Sequence, residues 1–155
     1  MPQSILCICL GNICRSPSAQ AALERAMPEA EIDSAGTSNW HIGDAPYGPM
    51  QIAASARGLD LSTQRARQVA TDDFTRFDLI LAMDAQNLAD LEARQPVGTT
   101  AVLALYLDVL QAGPRDVPDP YYTRDFDGVL ALIDRAAKAW AARSISARTP
   151  SKSRV

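Results

Sequence analysis

The stretch Ser4-Ile5-Leu6-Cys7-Ile8-Cys9-Leu10-Gly11-Asn12-Ile13-Cys14-Arg15-Ser16-Pro17 decides how this 155-residue chain folds. Its first seven residues are a continuous apolar run, which reads as a strand buried on both faces, as the strands of parallel sheets are. Gly11-Asn12 ends the run, and a helix is predicted after it. Ser16 can cap that helix, Pro17 suits its first position, and Ala19, Ala22, Leu23 and Ala26 recur at helical spacing until Pro28. The chain opens as strand, tight loop, helix.

The same alternation continues outward. Glu31 to Ala35 is a second expected strand, followed by a Gly- and Pro-rich loop from Gly36 to Pro49 and a helix from Gln51 to Arg57 closed by Gly58. Ala66 to Ala70 is weakly strand-like, Asp72 to Arg76 a helical turn, Asp78 to Met83 a buried strand and Ala85 to Arg94 a helix. Ala101 to Leu105 is a further apolar strand. An irregular stretch through Pro114, Pro118 and Pro120 then leads to a final helix from about Asp125 to Arg143, with Val129, Leu132, Ile133, Ala136, Ala137 and Trp140 on one face. Strands alternating with helices imply an α/β fold of parallel strands with right-handed crossovers, binding ligands at the carboxyl ends of the strands. Residues 1–143 are expected to form one domain, and residues 144–155, rich in Ser and Arg, a loose basic tail.

Composition narrows the function. A 47% hydrophobic and 21% charged chain is neither disordered nor fibrous. It has no apolar run long enough to span a membrane and no basic segment leading into a secretory stretch, so a cytoplasmic protein without membrane partners is expected. A net charge of -3 argues against a nucleic-acid partner, which would call for a basic stripe. The three cysteines, Cys7, Cys9 and Cys14, cluster near the N-terminus, unlike a disulfide framework. With His41 the only histidine and no second Cys pair, neither a metal nor any other cofactor is expected.

The cysteines therefore point to chemistry. Three cysteines and thirteen arginines in this length produce some Cys with an Arg six places on about one time in four, so the pair Cys9 and Arg15 gains weight only from its context. A loop between a strand end and a helix start turns its amides toward a common centre, and the helix N-terminus adds about half a positive charge there. Leu10, Gly11, Asn12, Ile13, Cys14 and Ser16 would thus cradle an oxyanion, with Gly11 and Asn12 tolerating left-handed backbone. Arg15 supplies a planar fork for two phosphate oxygens. The same field favours Cys9 as a thiolate, a nucleophile aimed at phosphorus, with Ser16 able to donate to the sulfur. Cys7, mid-strand, reads as an inert core residue. Cys14 either packs or faces Cys9, where it could trap an oxidised sulfur as a disulfide.

Thiolate attack on a phosphomonoester expels an alkoxide or phenoxide, which needs a proton donor. Asp119, between Pro118 and Pro120, is the strongest candidate, and Tyr121 and Tyr122 beside it could wall a slot for a flat ring.

Four motifs then carry a resemblance: Cys9 to Pro17, Ser34-Ala35-Gly36-Thr37, Asp78 to Asp84, and Asp119-Pro120-Tyr121. Their order and spacing, from Ile5 to about Trp140, are similar to those of the low-molecular-weight protein tyrosine phosphatase family. The resemblance implies a three-layer, Rossmann-like α/β fold, a four-stranded parallel sheet with helices on both faces. It implies a phosphocysteine mechanism with Cys9 as nucleophile, Arg15 as phosphate clamp, and Asp119 as acid and then base. Asn12, Ser16 and Ser34 would support the loop by hydrogen bonds. Trp40 would form an aromatic wall with Tyr121 and Tyr122 opposite, unless it anchors its loop on the core. The implied partners are phosphotyrosine-containing proteins, for which an autophosphorylated tyrosine kinase is one candidate; no cofactor is expected, and a monomer is the default expectation. Two departures stand out. Gln64 occupies the place where the family often has a supporting histidine, and Asp44 to Pro49 differs from the usual Pro-Pro-Asp rim. His41 reads as a rim residue without a catalytic role.

Rival readings remain. A protein arginine phosphatase would share the loop but typically carries Thr where Ile13 stands. An arsenate reductase needs downstream cysteines that are absent. A catalytically silent phosphoprotein-binding or redox-sensing module would retain the fold without turnover.

Overall fold

The computed structural model describes residues 3–147. Four strands, β1 (Ser4–Cys9), β2 (Glu31–Gly36), β3 (Leu79–Ala82) and β4 (Val102–Leu105), form one sheet in the order β2-β1-β3-β4. All pairings are parallel, with Cys9 opposite Gly36 and Ile8 opposite Ala82. Six α-helices accompany them: α1 (Arg15–Ala26), α2 (Gly48–Ala56), α3 (Asp73–Arg76), α4 (Ala85–Arg94), α5 (Pro120–Thr123) and α6 (Phe126–Ala147).

The apolar run of β1 explains the layering. Ile5, Cys7 and Cys9 pack with Leu23 of α1, Met50 of α2 and Ile133 and Trp140 of α6, while Leu6 and Ile8 pack with Phe74, Phe77 and Leu91 beyond the other face. Alternate side chains of a strand point to opposite faces, so a strand covered on both sides is apolar throughout. Each large side chain fully buried in this way contributes about 1.5–3 kcal/mol. Tyr106 ties the long helix down: its hydroxyl donates to the Ile133 carbonyl at 2.7 Å, and Trp140 Nε1 donates to the Tyr106 carbonyl at 2.8 Å.

Several expected boundaries shift, each for a local reason. Helix α1 starts at Arg15, with Cys14 in the capping position and no side-chain cap; Ser16 lies inside the helix because its hydroxyl is engaged by the loop below. Pro17 is then its third residue, still in the first turn, where amides lack intrahelical acceptors. Helix α2 begins at Gly48, since Pro49 in its first turn starts the helix rather than extending the loop. Residues 66–70 form no strand; Gln68 makes a single bridge to Gly36, flanked by Gly36 N to the Arg67 carbonyl and Val69 N to the Gly36 carbonyl, both 2.8 Å. Helix α6 continues to Ala147, so the first four residues of the expected tail are helical, and 148–155 lie outside the described residues. Among the described residues no helix is long and apolar enough to cross a membrane.

One glycine is fixed by close packing. A Cβ at Gly36 would sit 2.7 Å from the Leu10 carbonyl oxygen, so the end of β2 can approach the β1–α1 loop only without a side chain.

Candidate active site

The β1–α1 loop sits at the carboxyl edge of the sheet, where parallel α/β sheets bind ligands. Cys9 is the last residue of β1 and is buried. Its sulfur receives the Asn12 amide at 3.2 Å and lies 3.0 Å from Ser16 Oγ. Of the two loop residues expected to tolerate left-handed backbone, Asn12 adopts it, at φ 57°.

Asn12 organises the space under the loop. The Arg67 amide donates to Asn12 Oδ1 at 3.0 Å, and because a backbone N–H can only donate, this contact fixes which end of the side-chain amide is oxygen. Asn12 Nδ2 then donates to Ser16 Oγ at 2.7 Å and to Ser34 Oγ at 3.0 Å. With its oxygen accepting from Asn12, Ser16 has its own hydrogen free for the sulfur, the competing Ala35 carbonyl being more distant at 3.5 Å. Asn12, Ser16 and Ser34 thus act beneath the cleft rather than in its wall.

Arg15, the first residue of α1, is also buried. Its guanidinium donates from one nitrogen to Asp84 Oδ2 at 2.7 Å and to the Val117 carbonyl at 3.0 Å, while the other nitrogen lies 3.6 Å from Asp119 Oδ2. Burial opposes its charge, but Cys9, Asp84 and Asp119 outweigh burial and hold it protonated above its ordinary range. Asp119 caps the short helix α5, its Oδ1 accepting from the Tyr121 amide at 3.0 Å.

These groups meet in one cleft of about 210 Å³, smaller than the roughly 300–1,000 Å³ of pockets for drug-sized ligands and suited to a single side chain. Cys9, Cys14, Arg15 and the loop residues Leu10, Gly11 and Ile13 line it together with Asp119. Trp40 and His41 from the loop after β2, and Tyr121 and Tyr122 from α5, complete the wall. Trp40 is 69% exposed, which rules out a role as a core anchor. Cys14 lies beside Cys9; burial first, then Cys9 and Asp119, push its thiol up to about 12, so it is neutral at neutral pH. Burial above all raises Cys7 as well. Among the described residues no group of His, Cys, Asp and Glu is placed to hold a metal.

The model of the low molecular weight phosphotyrosine protein phosphatase family matches residues 4–150. The chain belongs to this family. It is 39% identical over 137 residues to the low molecular weight protein-tyrosine-phosphatase YfkJ of Bacillus subtilis, covering 84% of this chain and 88% of that one. The crystal structure of a protein tyrosine phosphatase from Entamoeba histolytica with Hepes in the active site superposes with a TM-score of 0.87 at 30% identity, over 94% of this chain and 99% of that one. Wzb of Vibrio vulnificus, in complex with benzylphosphonate, superposes with a TM-score of 0.82 at 28% identity, covering 91% and 98%. The protein is a tyrosine phosphatase of the low molecular weight class, with the α/β fold expected of it.

The geometry of this phosphatase adds residues that sequence reasoning passed over. Ser34 Oγ donates to Gln20 Oε1 at 2.8 Å, whereas Gln64 Oε1 is 3.5 Å away. Gln64 instead donates to the Pro17 carbonyl at 2.9 Å and so supports the start of α1. Gln20 was findable: it lies four residues after Ser16, on the same helix face. Asp84 was findable too, as the second residue beyond β3 on the edge that carries Cys9.

Proposed function

We propose that this phosphatase hydrolyses phosphotyrosine in proteins, and small aryl phosphates, through a phosphocysteine on Cys9. In the first step the Cys9 sulfur attacks phosphorus, the S–P bond forms, the P–O bond to the ring breaks, and Asp119 gives its proton to the departing phenolic oxygen. In the second step Asp119 takes a proton from water, the resulting hydroxide attacks phosphorus, and the S–P bond breaks to return the thiolate and release inorganic phosphate. Arg15 and the loop amides bear the charge on the equatorial oxygens.

The observation that carries this reading is the convergence of Cys9, Arg15 and Asp119 on one small cleft, with an amide and a hydroxyl already directed at the sulfur. The aromatic walls and the apolar Ile13 favour a ring over a charged guanidinium as the phosphate carrier. All three cysteines are free thiols, which suits a reducing, cytoplasmic setting, and an autophosphorylated tyrosine kinase would present the right group there.

Cys9→Ser and Asp119→Ala test the assignment. Cys9→Ser is expected to abolish turnover of an aryl phosphate, and retained turnover would remove Cys9 as nucleophile. Asp119→Ala is expected to lower kcat/KM about 100-fold or more for phenyl phosphate and far less for 4-nitrophenyl phosphate, whose leaving group scarcely needs a proton. Faster hydrolysis of phosphoarginine than of phosphotyrosine would overturn the substrate assignment.

A further inference from the structure

Two non-glycine residues among those described adopt left-handed backbone, Asn12 and Arg124. The first belongs to the phosphate loop. Arg124, at φ 62°, ends α5 in a conformation that disfavours any residue with a Cβ. Within the turn its guanidinium reaches the Tyr121 carbonyl at 3.5 Å, and its shorter hydrogen bond leaves the turn.

It goes to Tyr47. Arg124 donates to Tyr47 Oη at 2.9 Å, and its guanidinium carbon lies 5.4 Å from the centre of the Tyr47 ring and 5.1 Å from that of Phe126. The Tyr47 ring also packs on Tyr121, with centroids 5.2 Å apart. On its other side Tyr47 belongs to the phosphate-binding region: its amide donates to the Ile13 carbonyl at 2.8 Å, and it is the capping residue of α2. A continuous path therefore runs from the loop carrying the nucleophile, through Tyr47, to Arg124. From Arg124 to Asp119 the turn is rigid, since the Arg124 amide donates to the Pro120 carbonyl at 2.9 Å and the Thr123 amide to the Asp119 carbonyl at 3.2 Å.

We infer that the Tyr47–Arg124 contact is a clasp that sets the position of Asp119 relative to Cys9. Both partners are positioning residues: neither Tyr47 nor Arg124 borders the cleft. Tyr47 lies in the rim stretch that departs from the family's usual Pro-Pro-Asp, and its contact with Arg124 links that rim to the end of α5. The inference rests on Asp119 being the acid.

The test is the ratio of kcat/KM for 4-nitrophenyl phosphate to that for phenyl phosphate, which rises when protonation of the leaving group fails. Arg124→Gly removes the clasp while placing at the left-handed position the residue that prefers it, so the turn is expected to fold, with thermal unfolding as the check. Tyr47→Phe keeps the ring contacts and removes only the hydroxyl. Arg124→Gly is expected to raise the ratio about tenfold, Tyr47→Phe less, Arg124→Lys to restore most of it, and the Tyr47→Phe/Arg124→Gly pair to match Arg124→Gly alone. A ratio unchanged in both single variants, while Asp119→Ala raises it, overturns the clasp and leaves the acid in place. A ratio unmoved by Asp119→Ala removes the acid assignment and the clasp with it.

Discussion

Asn12 Nδ2 donates to Ser16 Oγ at 2.7 Å, and that contact leaves the hydroxyl hydrogen available to Cys9, 3.0 Å away. The amide can only give hydrogens, so the serine oxygen must receive, and its own proton is left for the sulfur. The direction of the chain is fixed further back, at the Arg67 amide, and its end point is the sulfur proposed as the nucleophile.

Ser16→Ala removes this donor while leaving the Asn12 amide and Arg15 in place. A hydrogen bond to a charged group contributes about 1.5–3 kcal/mol, so kcat/KM is expected to fall roughly 10- to 100-fold. Iodoacetate alkylation of Cys9 should slow in parallel; unchanged alkylation would mean that the hydroxyl does not serve the sulfur.

Gln20→Ala and Gln64→Ala separate two supports. Ser34 has one hydrogen to give and Gln20 is the nearer acceptor, at 2.8 Å against 3.5 Å. Loss of a neutral hydrogen bond, about 0.5–1.5 kcal/mol, predicts a fall in kcat/KM of about 2- to 10-fold for Gln20→Ala. Gln64→Ala should act mainly on urea stability, because it releases the Pro17 carbonyl. Steady-state kinetics beside urea titration would show whether the two effects separate.

Asp84→Asn tests the orientation of Arg15. Asn can keep the cap of α4 by accepting from the Asn87 amide through its one oxygen, which turns its Nδ2, a donor, toward the guanidinium. We expect kcat/KM to fall about tenfold or more with the cap retained, whereas Asp84→Ala should lose the cap as well, about 1 kcal/mol of stability. Equal activity in wild type and Asp84→Asn would show that Val117 and Asp119 hold Arg15 without Asp84.

Alkaline pH should weaken the fold. Burial, then the nearby Cys9 and Asp119, push Cys14 from 9.0 to about 12, and burial raises Cys7 and Tyr106 too. The folded chain thus keeps protons that the unfolded chain gives up, so stability is full below about pH 9 and falls as pH rises toward 12, by about 1.4 kcal/mol per pH unit for each such group. Urea midpoints measured from neutral pH to about 11 should decline, and Cys14→Ala should make the decline shallower.

What neighbouring residues decide together could be read from the chain before any fold was known. An apolar run, a turn and a helix start put Cys9 and Arg15 in one loop, because strand burial, loop amides and the helix N-terminus are local consequences of residue type. The helix from Ala85 to Arg94 was legible to the residue for the same reason, and the structure adds Asp84 as its cap. The tertiary structure alone decided which distant groups reach that loop. Pairing Ile8 with Ala82 brings Asp84 out beside Arg15, and pairing Cys9 with Gly36 brings Ser34 under Asn12. The approach of residues 66–69 to Gly36 delivers the Arg67 amide, and the packing of Tyr47 against α5 delivers the contact with Arg124. A hydrogen bond requires two atoms about 3 Å apart, and for residues tens of positions apart that distance is set by strand order and register, which no single stretch of the chain contains.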